Sequence, residues 1–345
     1  MAAVVTLKDV ADRAGVSVST VSLVINGREA GRVKPAVGRR VRQAAEELGY
    51  APNLQARSLR TRQTNTIGLI SDMVASTPFA GRMLAGAQDA AWQAGYLLLL
   101  IDTGGHAEME QSAVQTLAQR NVDALIYASM YHREIELPEI PQGLPLVVLD
   151  GRPTGEPPLV DWVVPDERGG ARAAVEFLIR AGHTRIGFCT VEENVPAARE
   201  RLAAYRETLQ EHGLAYDPAL VSRGATGDAH SGLRTARELL DRDDRPTALF
   251  CYNDRVAMGA YRAARHLGLS VPDDVSLVGF DDQEHVADAL EPGLTTVALP
   301  HYDMGAWAVR RTLTRIGTEE AAGKHLHMPC RLVTRDSVTV PRRAA

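Results

Sequence analysis

The chain has 345 residues, a length typical of two or three domains. Its composition, 45% hydrophobic and 23% charged, is typical of a globular protein. Its apolar runs are too short to span a bilayer, and no signal-peptide core precedes Lys8 and Asp9. Three widely spaced cysteines exclude a disulfide scaffold and a CxxC zinc motif. We therefore expect no membrane span and a cytoplasmic location.

The net charge of −5 is distributed unevenly along the chain. Residues 1–65 carry 11 lysines and arginines against 5 acidic residues, whereas the remainder carries 27 against 38. A basic head on an acidic body indicates that the head meets a polyanion such as nucleic acid. The alternative is a basic tail that is merely solvated.

The first 50 residues predict three short helices, over residues 7–14, 18–25 and 35–48. Thr6 and Asp9 have the spacing of a capping box, and Gly15 can adopt the left-handed conformation that ends a helix. Ser17 can cap the second helix, and Pro35 is an allowed residue in the first turn of the third.

Two short helices joined by a glycine turn form a helix-turn-helix, which places its second helix in the DNA major groove. Ala11 is small enough for the two helices to cross closely, and Val16, Val21 and Ile25 are expected in the core. The residues expected to face outward on the second helix are Ser17, Val18, Ser19, Ser22 and Leu23. An αα-hairpin without a DNA role is the alternative.

Residues 6–28 (TLKDVADRAGVSVSTVSLVINGR) and 47–70 resemble the DNA-binding head and hinge of the lactose-repressor/galactose-repressor (LacI/GalR) family. Fragments such as GHTRIGF and VPDDVSLVGFDD extend the resemblance through the body. It implies a DNA-binding domain over 1–50, a hinge over 51–64 and an effector-binding and dimerisation core over 65–340. The DNA contacts that it implies are Thr6, Ser17, Val18, Ser19, Thr20, Ser22, Leu23, Asn26, Arg28, Asn53, Ala56, Arg57, Leu59 and Arg60.

Residues 50–62 (YAPNLQARSLRTR) predict a hinge helix that is too short to be stable alone in water. In the family this helix orders on operator DNA, where a leucine at the position of Leu59 enters the minor groove and kinks the duplex. Ala56 permits a close approach of the paired helices, and Arg57 and Arg60 can reach phosphates. The alternative is a flexible basic linker.

The recognition helix departs from the family pattern at Leu23. Many relatives have an arginine there, which can bind a guanine through two hydrogen bonds. Leucine makes only apolar contacts, for example with a thymine methyl group. We therefore expect weaker base reading by the head and more specificity from the hinge and from DNA deformability.

From residue 66 the sequence alternates short apolar strands with amphipathic helices, which predicts an α/β body of parallel sheets covered by helices. The predicted strands are 66–71, 96–101, 124–128, 146–150, 162–164, 185–190, 248–252 and 276–280. The predicted helices are 79–94, 107–120, 167–181, 197–212, 230–240, 255–267 and 301–316. The resemblance implies two subdomains, as in periplasmic sugar-binding proteins: an N-subdomain of 65–163 and 293–325, and a C-subdomain of 164–292 and 326–340.

Polar residues that follow the predicted strands are candidates for a ligand site, because open α/β sheets bind ligands at the carboxyl ends of their strands. Carboxylates, an amide and an arginine can fix sugar hydroxyls by charge-assisted hydrogen bonds. The candidates are Asp72, Phe79, Asp150, Trp162, Arg199, Asn253 and Asp281. The resemblance supports Arg199, Asn253 and Asp281 most directly, whereas Asp254 is expected to cap the following helix.

The lactose-type pocket has a stacking tryptophan in the loop that here contains Ala229. His230 or Trp162 is expected to compensate, or else the effector lacks the stacked face. The identity of the effector therefore stays open, with a mono- or disaccharide expected ahead of nucleosides and phosphorylated sugars.

We find no catalytic motif: no P-loop, no GxSxG elbow and no third ligand near His325 and His327. We expect no enzymatic activity, no cofactor and no metal. The sequence predicts a sugar-responsive transcriptional repressor that binds a pseudo-palindromic operator as a homodimer, because no heptad helix follows the last predicted strand. The alternative is a sugar-binding protein without a DNA role.

Overall fold

The computed structural model describes residues 5–50, 63–77, 80–155, 160–318 and 322–342. The chain divides into two compact units, residues 1–64 and 65–345. Several predicted site residues lie outside the described residues: Asn53, Ala56, Arg57, Leu59 and Arg60 of the hinge, and Phe79 of the ligand site.

The first unit contains the three predicted helices, α1 (Leu7–Ala14), α2 (Val18–Ile25) and α3 (Pro35–Leu48). The capping box before α1 is formed, since the Thr6 amide donates to Oδ2 of Asp9 at 2.7 Å. Gly15 ends α1 with a φ of 60°, a left-handed conformation that glycine adopts without strain. Ser17 Oγ then accepts the Thr20 amide at 3.2 Å and caps α2.

Apolar residues of all three helices form one small core. Ala11 and Val21 are buried in it, as predicted, but Val16 and Ile25 are only partly buried. Val24, one residue before Ile25, is buried instead. In a helix of two turns the hydrophobic pattern fixes the buried face to within about one residue, which explains the difference.

We predict that Thr6→Ala will destabilise the first turn of α1 by about 1 kcal/mol, because the Asp9 amide loses its acceptor in the capping box. Hydrogen exchange of the α1 amides should then be about five times faster. Ser19→Ala, at an exposed position within α2, is the matched control and should leave the exchange of α1 unchanged. Equal protection of α1 in the Thr6 variant and the native chain would contradict the role of this cap.

The second unit contains two six-stranded sheets. The first has the order β11-β5-β4-β3-β1-β2 and is parallel throughout. Its strands are β1 (Thr66–Ser71), β2 (Leu97–Asp102), β3 (Ala124–Ile135), β4 (Leu146–Pro153), β5 (Asp161–Pro165) and β11 (His325–Met328).

The second sheet has the order β12-β10-β9-β8-β6-β7, in which only the β10–β12 pair is antiparallel. Its strands are β6 (Ile186–Val191), β7 (Val221–Gly224), β8 (Ala248–Cys251), β9 (Ser276–Asp281), β10 (Thr295–Ala298) and β12 (Arg331–Val333). The helices of this unit are α4 (Gly81–Gln93), α5 (Ala107–Gln119), α6 (Glu167–Arg180), α7 (Pro196–Glu211), α8 (Ala229–Leu240), α9 (Asp254–His266) and α10 (His301–Arg315).

Helices cover both faces of each sheet, as expected for buried parallel strands. In β1, Ile67 and Leu69 pack against α4 and α10, whereas Ile70 faces α5. Helices α6 and α7 cover one face of the second sheet, and α8 and α9 cover the other. The predicted α/β fold class is confirmed, and each predicted helix of the body is present to within about two residues.

Helices α4 and α10 cross at very short range, because glycines lie at the contact. A Cβ atom on Gly86 would lie 1.9 Å from the carbonyl oxygen of Tyr302, and one on Gly305 would lie 2.0 Å from that of Met83. This close packing fixes the start of α10, where His301 lies.

The chain passes between the two sheets after β5, after β10 and after β11. The passages expected near 163, 292 and 325 lie a few residues before the observed ones. As a result, the segment 293–325 expected in the N-subdomain includes β10, which belongs to the second sheet. That strand instead pairs with β9, with Thr295 opposite Val278. A hydrophobic pattern does not predict this strand, because two of its residues are threonines. The threonines are tolerated in the interior, since the buried Thr296 hydroxyl donates to Oδ1 of Asp254 at 2.5 Å.

Among the described residues, no helix is both long and apolar enough to cross a membrane.

Candidate functional site

The outer surface of α2 presents small side chains beside a set of free cations. Val18 is 44% exposed, and Ser17 and Ser19 are also exposed, whereas Thr20, Ser22 and Leu23 are half-buried. In the described part of the head, Arg13 and Arg42 form ion pairs with glutamates. No ion pair within that part involves Lys8, Arg28, Arg32, Lys34, Arg39 or Arg40.

Three of the predicted DNA contacts also stabilise the head itself. Thr6 and Ser17 cap α1 and α2, and the Asn26 side-chain amide donates to the Ser22 carbonyl at 2.6 Å. Capping of this kind consumes a side-chain hydrogen-bonding group. Val18, Ser19 and the exposed Arg28 have no such local role among the described contacts.

In the second unit, a cavity of about 300 Å³ lies where the carboxyl ends of both sheets meet. Residues from the carboxyl-terminal halves of β4 and β9, and residues that follow β1 and β8, line it, in agreement with the strand-end rule. Asp150, Asn253 and Asp281 are among these residues, so three of the seven predicted ligand residues lie together.

Asp72 lies beside the cavity, but its carboxylate is directed elsewhere. It is buried and accepts hydrogen bonds from the Arg133 guanidinium group at 2.7 Å and from Ser129 Oγ at 3.1 Å. Its neighbour Met73 lines the cavity. Asp72 therefore supports the wall and does not form its surface.

The arginine of α7 that lines the cavity is Arg201, two residues after the predicted Arg199. Arg199 is 42% exposed and pairs with Glu134 at 2.9 Å, outside the cavity lining. Arg201 lines the cavity and is buried. Positions two apart on a helix are about 200° apart around its axis, so only one of the two side chains can face the cavity.

Trp162 also lies away from the cavity, contrary to prediction. It is near the start of β5, and the residue of that strand that reaches the cavity is Pro165, at its carboxyl end. The indole ring stacks on His325 with the ring centroids 4.5 Å apart and contacts His327 edge-on. Trp162 thus packs against the histidines of β11, and among the described residues the phenol rings of Tyr131 and Tyr252 line the cavity.

A buried chain of charges forms one wall of the cavity. Arg201 Nε donates to Oε2 of Glu167 at 2.7 Å, and its Nη2 lies 3.7 Å from Oδ1 of Asp281. The Arg201 guanidinium group also donates to the Tyr252 carbonyl and lies 3.7 Å from the ring centroid of Phe280. Four contacts of this kind fix the side chain in a single position.

This wall shifts the pKa values of its carboxyl groups. Burial alone would raise the pKa of Glu167, but the positive charge of Arg201 and the nearby His132 lower it to about 2. Burial raises the pKa of Asp281, and the charge of Arg201 opposes that shift. Glu167 is therefore ionised at neutral pH as the main partner of Arg201.

Two histidines face carboxylates inside the cavity. Nδ1 of His132 lies 3.6 Å from Oε1 of Glu167, and Nε2 of His301 lies 3.6 Å from Oδ2 of Asp150. Both distances exceed a hydrogen bond. Polar atoms of His132, His301 and Asp150 thus have no hydrogen-bond partner among the described residues.

Asn253 has a structural role in addition to its place in the wall. Its Oδ1 accepts the Val256 amide at 2.8 Å, which caps α9, and its Nδ2 donates to the Gly227 carbonyl at 3.0 Å. The expectation that Asp254 caps this helix is therefore wrong. Asp254 is buried and accepts the Gln283 amide at 2.7 Å, which holds the loop after β9.

Neither His230 nor Trp162, the two residues expected to compensate for Ala229, lines the cavity. His230 is exposed and outside the cavity lining, and Asp228 caps α8 beside it. Tyr131 lines the cavity from β3 and donates from its hydroxyl to Glu193 at 2.7 Å. Burial, followed by the hydrogen bond to Glu193, raises the pKa of Tyr131 to about 12.

Several residues of the wall were not predicted from the sequence: Met130, Tyr131, His132, Glu167, Arg201 and His301. Glu167 could have been found, because it follows β5 and so obeys the strand-end rule. The residues from β3 could not, because the predicted strand ended at 128 whereas β3 continues to Ile135 with a register shift after Ala128. Within the described residues, no group of three or more potential metal ligands occurs.

Comparison with known proteins identifies the family. Residues 6–53 match the family of bacterial regulatory proteins described as the lacI family, and residues 175–338 match a periplasmic binding protein-like domain. An HTH-type transcriptional repressor PurR of Aliivibrio salmonicida is 33% identical over 335 residues, which cover 96% of this chain and 98% of the relative.

Two solved structures show the same relationship. A Lac repressor dimer bound to operator and the anti-inducer ONPF is 28% identical, with a TM-score of 0.77 over 97% of this chain and 99% of that chain. A CelR–cellobiose complex is 34% identical, with a TM-score of 0.67 over 96% and 99%. The family resemblance and the expectation of a regulator that is not an enzyme are thereby confirmed. The chain belongs to the lacI family of bacterial regulatory proteins.

Proposed function

We propose that this chain is a transcriptional repressor that binds a pseudo-palindromic operator as a homodimer and whose operator affinity changes when a sugar occupies the cavity. The observation that carries the proposal is the presence, in one chain, of an exposed recognition helix and of a cavity whose wall holds unsatisfied polar groups. A sugar-binding protein without a DNA role would need only the second of these features.

For the DNA interface, we assign base contacts to the exposed start of α2, where Val18 and Ser19 stand clear of the helix caps. Small side chains there permit a close approach to the base edges. Ser17, Thr20, Ser22, Leu23, Asn26 and Arg28 complete the proposed surface, together with Thr6 at the start of α1. The hinge contacts inferred from the resemblance stay proposals.

We predict a steep salt dependence of operator binding, because six cations of each head are free to contact phosphates. The plot of log affinity against log salt concentration should have a slope of about −5 or steeper, measured by fluorescence anisotropy with a labelled operator. Arg39→Gln removes one cation from each of the two heads, so it should make the slope shallower by about two. Arg13→Gln, which removes a cation already paired with Glu47, should change it little. A flat salt dependence would place the DNA surface elsewhere.

For the effector, the similar CelR structure contains the disaccharide cellobiose. We extend this ligand class to the present cavity, because carboxylates, an amide and two tyrosines line it. The direct test is a titration of operator binding with and without monosaccharides and disaccharides. A sugar that binds the chain but leaves operator affinity unchanged would support the alternative of a sugar-binding protein.

For the dimer, the outer edge of the first sheet offers an apolar surface. Trp92 is 69% exposed and Leu97 is 54% exposed, and Leu99, Leu100 and Met109 are also exposed. These residues come from the end of α4, the edge strand β2 and the start of α5. Exposed apolar side chains on a sheet edge are typical of an interaction site, and we propose that a second copy of the chain covers this patch. We also propose a cytoplasmic location for this chain, because a bacterial DNA-binding regulator acts at the chromosome.

A further inference from the structure

The loop that joins α2 to α3, residues 26–34, carries three cations that form no ion pair within the described part of the head: Arg28, Arg32 and Lys34. Gly27 and Gly31 have φ values of 66° and 70°, in the left-handed region. A segment with two such glycines samples many conformations unless other contacts order it. The arrangement of these cations therefore depends on what fixes the loop.

Glu29 accepts three hydrogen bonds that order this loop. Its backbone carbonyl accepts the amides of Arg32 and Val33, each at 2.9 Å. Its side-chain Oε1 accepts from Nη1 of Arg42, in α3, at 2.6 Å. The Arg42 guanidinium group lies back over Gly38, where a Cβ atom would be 3.3 Å from Nη2. Glu29 thus ties the middle of the loop to α3.

The loop and the start of α3 line an open groove of about 560 Å³, and four of its lining residues are cations: Arg32, Lys34, Arg39 and Arg42. A groove with this charge suits the phosphate backbone of DNA. Glu29 is the one carboxylate among the described residues that line it. The hydrogen bond from Arg42 lowers the pKa of Glu29, which is therefore ionised at neutral pH. Its negative charge repels phosphate, so charge alone makes Glu29 unfavourable for DNA binding.

We infer that Glu29 is a positioning residue for operator binding, which acts through Arg42 to hold the three cations of this loop in the arrangement that meets the phosphates. The inference rests on the proposed function, because it assumes that the head binds DNA. A loop that is ordered before binding does not lose conformational freedom on the operator, and this gain opposes the repulsion of one paired carboxylate.

Glu29→Gln separates the two effects, because they have opposite signs. The variant loses a negative charge and frees Arg42, so charge alone predicts tighter binding and a salt slope steeper by about two for the dimer. Positioning predicts weaker binding, since a loss of about threefold in each head multiplies to about tenfold on an operator bound by two heads. Affinity for a duplex of unrelated sequence should not fall, because unordered cations still reach phosphates.

The measurement is fluorescence anisotropy of the full chain with a labelled duplex that the native chain selects from a random-sequence pool. Glu47→Gln is the matched control, because it makes the same change of charge and frees Arg13, which pairs with Glu47 at 2.6 Å. That pair joins α1 to the end of α3, away from the loop, so we expect binding equal to or tighter than that of the native chain.

A charge swap tests whether the ion pair itself is responsible. Glu29→Arg combined with Arg42→Glu keeps the net charge of the head and restores the pair with opposite polarity. We expect its affinity for the selected duplex to lie within about threefold of the native value. If Glu29→Gln does not keep the helical circular dichroism of the native chain, the charge swap decides alone.

Three results would overturn the inference and leave the proposed function standing, since the native chain would still select a duplex. They are native or tighter binding by Glu29→Gln, equal losses in the Glu29 and Glu47 variants, and a charge swap that binds as weakly as Glu29→Gln. A native chain that selects no duplex would contradict the proposed function and, with it, this inference.

Discussion

Replacing Leu99 by aspartate is expected to separate the dimer into monomers and to lower operator affinity by about 100- to 10,000-fold. Leu99 lies in the middle of the edge strand β2 and is 39% exposed, beside the more exposed Leu97. In a two-fold interface each substitution occurs twice, so two carboxylates would be buried against apolar surface. Two linked heads bind one operator far more tightly than a single head does.

Sedimentation equilibrium would measure the dimer, and titration of a labelled operator would measure affinity. Val340→Asp is the control, since it places the same charge at an exposed apolar residue outside the patch. It should leave both measurements unchanged. A Leu99→Asp variant that remains dimeric would assign the interface to another surface. A stable, monomeric variant with native operator affinity would contradict the need for two heads.

The head could be predicted almost completely from its sequence, because its signals are local. Thr6, Asp9 and Gly15 each act within one turn of α1, and the bounds of all three helices follow from such residues. The strands that were missed lack a local signal. Strand β7 has four residues, and in β10 the threonines 295 and 296 are stabilised by groups distant in sequence.

The candidate site was predicted only where a simple rule applies. Asn253 follows β8, Asp281 ends β9, and Asp150 lies in the carboxyl-terminal half of β4, and the topology brings such positions together. Arg201 lies inside a helix, where a shift of two residues reverses the direction of the side chain. Trp162 was placed in the site for a related reason. The sequence predicts that it lies in a strand but does not show whether it lies near the amino or the carboxyl end of that strand.

Arg201→Met is expected to cost about 3–5 kcal/mol of folding free energy, because it leaves Glu167 and Asp281 buried without their cation. The pKa of Glu167 agrees in direction, because the charge of Arg201 lowers it against the opposing effect of burial. The measurement is urea unfolding of the native chain and the variant at pH 7.

Arg199→Met provides the matched control for this change. It removes the same side chain two residues earlier in α7, where the ion pair with Glu134 is exposed, so its cost should stay within about 0.5 kcal/mol. Equal losses from the two variants would contradict the assignment of Arg201, in place of Arg199, as the buried cation. A stable Arg201→Met chain would show that Glu167 and Asp281 do not depend on it.

The destabilisation by Arg201→Met should depend on pH in a defined direction. The folded-state pKa of Glu167 lies below its ordinary value of 4.5, so the ion pair contributes stability above about pH 4.5 and loses it as the pH falls toward 2. In the variant, burial without a cation raises the pKa of the Glu167 carboxyl group, which is then neutral in acid. The unfolded state is the same for both chains, so the difference in unfolding free energy between them should be largest near neutral pH. It should begin to shrink once the pH falls below the raised folded-state pKa of Glu167 in the variant, and it should go on shrinking toward pH 2. A difference that is constant from pH 7 to pH 3 would indicate that Arg201 stabilises the fold through its contacts with Phe280 and Tyr252, and not through its charge.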